Sequence, residues 1–140
     1  LQPYATQTIT DIQFRFDISE NIHDLSTGDE LWVVPATPAN PSAITLEDWD
    51  QIPLQNPPVY ALVDQDTISG FPIIDLPLNP TGFAAARIAA GSPGGIFHTA
   101  FVYNQTYQSF APPSNVENML GIYTGGPHVN NIKLVVNYHE

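Results

Sequence analysis

The chain has no cysteine, only three basic residues and a single methionine in 140 residues. The missing thiols exclude a disulfide framework, thiolate catalysis and cysteine-ligated zinc or iron–sulfur centres. Basic side chains are so scarce that Arg15, Arg87 and Lys133 are the only groups able to neutralise phosphate. They lie far apart in the chain and form no basic stripe, so nucleic-acid binding is not expected. Anionic headgroups are disfavoured for the same reason, and no apolar run approaches the roughly 18 residues of a spanning helix, so no membrane insertion is expected. Charged residues of both signs make up only 12% of the chain, against about 25% in an average domain.

What charge there is carries one sign, with fourteen acids giving a net charge of −11. Residues 1–75 hold twelve of those acids and one basic residue, Arg15, whereas residues 76–140 hold two of each. All the net charge thus belongs to the first half. With 43% hydrophobic and 11% aromatic residues, the composition is that of a globular chain able to build one core. The chain starts at Leu1 without a methionine and shows no signal-peptide pattern, which points to a processed or recombinant form.

Fourteen prolines punctuate the sequence. The stretch 34–41, the pair at 57–58, residues 72–80 and the pair at 112–113 all read as breaks or surface loops. Between them the patterning is of strand type. Ile12, Phe14, Phe16 and Ile18 alternate with Asp11, Gln13, Arg15, Asp17 and Ser19, giving one apolar and one wet face. Near the other end, Ile132, Leu134, Val136 and Tyr138 alternate with Lys133, Val135, Asn137 and His139. Both chain ends therefore read as strands tied into sheets, and either could be exchanged with a neighbouring subunit. Residues 31–34 and 59–63 are shorter β-type runs, and 95–107 reads as a central strand apolar on both faces at its start.

Helical signals are brief. Ser114 and Glu117 have capping-box spacing, followed by Asn118, Met119, Leu120 and then Gly121, which fits a turn or two of helix. Residues 45–50 read as another turn, stopped by Pro53. Residues 83–90 have alanine propensity, an Asn79-Pro80 start and a Gly91 stop, but Phe83 and Ile88 share no helical face, so helix and small-residue strand both remain open. The sum is a single all-β domain over 1–140: an antiparallel β-sandwich of jelly-roll type with long Pro-rich loops and one or two short helices.

No phosphate loop, metalloprotease helix or nucleophile elbow occurs, and the chain is not expected to be an enzyme. Of the four histidines, His98 reads as a packed imidazole, and His128 with His139 has no diagnostic metal spacing. Carboxylate pairs such as Asp48 with Asp50 and Asp64 with Asp66 arise easily among fourteen acids. The segment 24–30 places Asp24, Asp29 and Glu30 around Gly28 in partial likeness to a calcium loop. An Asx-type turn explains the same residues without metal, so no cofactor is required and calcium is the candidate ion. Trp49, Tyr103 and Tyr107 could offer a stacking platform for sugars. Asn104-Gln105-Thr106 matches a glycan acceptor.

These features favour a structural or assembly subunit: a virion capsid protein, or an extracellular surface-coat or fibre protein. Its partner would be itself, as a homo-oligomer or larger assembly, or other coat proteins. Low-charge surfaces suit permanent subunit contacts. The neutral second half, including residues 97–107 and 125–128, is the expected contact region. A carbohydrate-binding module using Trp49, Tyr103 and Tyr107 is the alternative.

Overall fold

The computed structural model describes residues 1–23, 30–38, 57–70, 72–104, 118–122 and 132–139. They form two antiparallel sheets and one helix. The first sheet is organised by one long strand, β1 (Thr8–His23). It pairs with β7 (Lys133–His139) over its first half, with β4 (Ile73–Pro77) through its middle and with β6 (Asn118–Ile122) over its last residues. The second sheet has the order β3-β2-β5, with β2 (Glu30–Pro35) between β3 (Ala61–Asp64) and β5 (Thr99–Tyr103).

The alternation in β1 becomes its two faces. Ile12, Phe14, Phe16 and Ile18 are buried, while Asp11, Gln13, Arg15 and Asp17 stay partly exposed. Ile9 is buried as well, although strict alternation would place it with Asp11. A register shift against β7 between Ile9 and Asp11 absorbs one residue and turns Ile9 to the apolar side. Leu31 and Val33 from β2, Ala61 from β3 and Leu76 from β4 join the same core cluster. The Phe101 ring of β5 stands edge-on to both Phe14 and Phe16, with centroids 5.3 and 5.6 Å away. Aromatic packing of this geometry adds to simple burial.

The segment left open between helix and strand is a helix, α1 (Pro80–Gly91). Its buried stripe is Gly82, Ala86 and Ala90, spaced four apart, which lets the helix backbone approach the core closely. Asn79 caps it: Oδ1 accepts from the Gly82 N–H at 3.0 Å, and Nδ2 donates to the Val59 carbonyl at 2.7 Å. Pro80 at the first turn needs no N–H partner. Ile88 lies two residues beyond Ala86, about 200° around the helix, and is 72% exposed.

Three expectations change. Residues 72–80 are not merely a break, because Ile73–Pro77 is strand β4; Pro77 closes it, and the next N–H, from Leu78, donates to the Ile12 carbonyl. Residues 118–120 are not helical but begin β6, because β1 offers them a ladder that local capping signals cannot anticipate. Of the run 95–107, the described residues 95–104 are strand over Thr99–Tyr103, and among the described residues that strand pairs with β2 alone, at an edge and not in the centre; residues 105–107 lie outside the described set. Residues 45–50 lie outside the described set.

Candidate functional site

At one end of the second sheet, β2 begins at Glu30, directly opposite Asp64, the last residue of β3. Two like charges face each other there, a destabilising arrangement unless each has donors. The Trp32 Nε1 donates to Glu30 Oε2 at 2.6 Å. Asp64 Oδ1 accepts from the Asp66 N–H at 2.9 Å and caps the 3-10 turn Gln65–Thr67. Among the described residues, neutral donors hold these two carboxylates. The Glu30 N–H donates to Asn104 Oδ1 at 3.1 Å. Asn104 is only 9% exposed, so the asparagine of the glycan-acceptor pattern is engaged inside the fold.

The expected site residues distribute unevenly over this end. Glu30, from the calcium set, and Tyr103, from the sugar set, come close in register, since Tyr103 opposes Leu31. Asp24, Asp29, Trp49 and Tyr107 lie outside the described residues. Among the described residues no group of three His, Asp or Glu side chains is arranged to hold a metal ion.

The outer face of the first sheet carries a second polar arrangement. The register sets Asp75 of β4 and Lys133 of β7 on either side of Arg15. Two of the three basic residues, 118 positions apart in sequence, are therefore neighbours. Arg15 grips Asp75 with two bonds, Nε to Oδ1 at 2.5 Å and Nη2 to Oδ2 at 2.7 Å. Nearby, Asn137 Nδ2 donates to Asp11 Oδ2 at 3.3 Å. Asp17 Oδ1 is shielded from solvent and has no hydrogen-bond partner among the described residues. These groups are dispersed along the sequence, and only strand register brings them to one face.

Hydrogen bonding from Arg15 is the main cause holding the Asp75 carboxyl below its usual value, and the same bond raises the Arg15 guanidinium. For a depressed carboxyl, the stabilisation is complete above its unfolded value and is lost as pH falls through the folded one. The side chains are 39% and 44% exposed, so the contribution is small. The melting-temperature difference between the native chain and Asp75→Asn is expected to stay constant from about pH 7 to 5 and to close below about pH 4. A difference that persists undiminished in stronger acid would contradict the assignment.

No family model, curated protein or solved structure matches this chain.

Proposed function

We propose that this chain is a structural subunit that self-associates, as part of a virion shell or an extracellular coat or fibre, and that its two sheets pack as a β-sandwich of jelly-roll type. The observation that carries the reading is the open sheet architecture. Among the described residues β3 and β5 each pair with β2 alone, and β5 contains neither charge nor proline to blunt its edge. The inward reach of Phe101 to Phe14 and Phe16 supports the packing of one sheet over the other.

Sedimentation velocity over a wide range of protein concentration, at low and high salt, tests the proposal. Oligomers are expected, increasing with salt as repulsion between chains of −11 is screened. Negative-stain imaging of material from the native source should show a regular assembly. A strictly monomeric species under all conditions counts against it.

A further inference from the structure

Tyr4 and Tyr138, near opposite ends of the sequence, meet in the fold. Tyr4 closes the 3-10 turn Gln2–Tyr4, which precedes β1. A relay of backbone bonds folds that turn back: the Tyr4 N–H donates to the Leu1 carbonyl at 2.9 Å, the Gln7 N–H to the Tyr4 carbonyl at 3.1 Å and the Ile9 N–H to the Gln7 carbonyl at 3.1 Å. On its other side the turn contacts α1, and the Leu1 nitrogen donates to the Gly95 carbonyl. Tyr138 arrives from β7, where register sets it opposite Ile9. The two ring centroids stand 5.3 Å apart, with the planes tilted by 56°. Tyr4 packs against the core, whereas Tyr138 is 46% exposed.

Among the described residues this is the one contact between two phenol rings, since each of the others includes a phenylalanine. The geometry is that of ordinary aromatic packing, but two phenols have a redox chemistry that other ring pairs lack. Loss of an electron and a proton leaves a radical whose spin lies partly on the ring carbons next to C–O, and two such radicals join there. A free radical must first find its partner, and rings already held in contact are spared that encounter. Sulfur side chains, which otherwise draw off oxidants, are almost absent: the chain has no cysteine and one methionine.

We infer that Tyr4 and Tyr138 are the site of a dityrosine cross-link, formed when the folded chain meets a peroxide and a peroxidase-type catalyst. Each phenol gives up its O–H hydrogen, a bond forms between a Cε of Tyr4 and a Cε of Tyr138, and the hydrogen on each joined carbon moves to its own ring's oxygen, restoring both phenols. The two hydrogens removed, with their electrons, reduce one hydrogen peroxide to two waters. The bond ties the turn before β1 to the strand β7 in a chain that has no thiols for a disulfide. A link that closes so long a loop takes freedom chiefly from the unfolded state. The inference is independent of the assembly reading, because both rings belong to one chain. Repulsion between chains of −11 in dilute buffer favours this coupling over one between copies.

The test oxidises the native chain at low concentration and low salt with hydrogen peroxide and a haem peroxidase. The expected product runs as a monomer under denaturing conditions, has lost two hydrogens by intact mass, shows dityrosine fluorescence and yields on digestion a peptide pair joined through Tyr4 and Tyr138. It should also melt at a higher temperature than the untreated chain. Tyr4→Phe and Tyr138→Phe keep the ring packing, so both should fold by circular dichroism, and both should lose this product. Tyr60→Phe, at a ring that stacks on Phe97 at 5.7 Å, should retain it. Chain unfolded in urea before oxidation should show no preference for the pair. Folded native chain in which other tyrosines couple as readily, or copies are linked in preference, overturns the inference. So does folded chain that leaves Tyr4 and Tyr138 unjoined while a short tyrosine peptide in the same mixture is coupled.

Discussion

Replacing Phe16 by alanine is expected to destabilise the fold by about 3–5 kcal/mol, the largest effect of any single substitution argued for this chain. Phe16 is fully buried and belongs to β1, the strand that all the others in its sheet pair with. Its ring meets Phe101 of the second sheet edge-on, so truncation opens a cavity at that contact. The neighbours cannot easily collapse into the void, because Phe14 already occupies the adjacent side of Phe101 and Ile74 is fixed opposite by strand register. Urea unfolding should show a large fall in midpoint with an unchanged slope. Phe16→Leu, which keeps most of the volume, should cost less than half as much as the alanine variant. A loss below about 1 kcal/mol in Phe16→Ala would mean that this contact does not hold the sheets together.

Gly82→Ala should lower stability by about 2–3 kcal/mol, although alanine is the better helix former by about 1 kcal/mol. A Cβ at this position would stand 2.7 Å from both Cβ and the carbonyl oxygen of Tyr60, and 2.9 Å from its Cα. Tyr60 cannot retreat. Its N–H donates to the Val33 carbonyl and its carbonyl accepts from the Asn79 N–H, both at 2.7 Å. Gly82 is therefore the point where the helix touches the chain leading into β3. At the other end of the helix, a Cβ on Gly91 would meet nothing within 4 Å. Gly91→Ala should accordingly be neutral or stabilising by up to about 1 kcal/mol. Thermal melts of the two variants should move in opposite directions; a shared direction would refute the role given to Tyr60.

These two sites differ in how visible they are from sequence. Phe16 stands in a period-two pattern whose apolar members are large, and the period alone places it inside. Gly82, Ala86 and Ala90 form the inner stripe of α1, yet small residues contribute almost nothing to a hydrophobic pattern. The conspicuous residues, Phe83 and Ile88, pointed to no common face because Ile88 faces solvent. The capping residue Asn79 and Pro80 were legible, but nothing local showed that Asn79 also holds Val59. Strand β4 was hidden by its flanking prolines, which exclude a central position but not an edge.

The candidate sites were less legible still, for a related reason. Arg15, Asp75 and Lys133 become neighbours only through register, and Glu30 meets Asp64 the same way. The division into an acidic and a neutral half does not persist in space either. Strands β1 and β2 from the acidic half pair with β6, β7 and β5 from the neutral half. What survives is narrower: the segments 1–10 and 78–104, which meet where α1 contacts the 3-10 turn Gln2–Tyr4, contain no aspartate or glutamate.

The pairing of β1 with β7 sets Thr8 opposite His139 and Arg15 opposite Lys133. The residues between Arg15 and Lys133 must therefore all be made before β1 can complete its ladder with β7. Topology with such high contact order folds slowly, since a very large loop has to close before its contacts repay the lost freedom. During synthesis the hydrogen-bonding edge of β1 from Thr8 to Arg15 would wait unpaired until β7 has been made. Charge repulsion among nascent chains that carry their acids early is then a safeguard against clumping in that interval. The acidic bias of the first 75 residues acquires a meaning in time as well as in space.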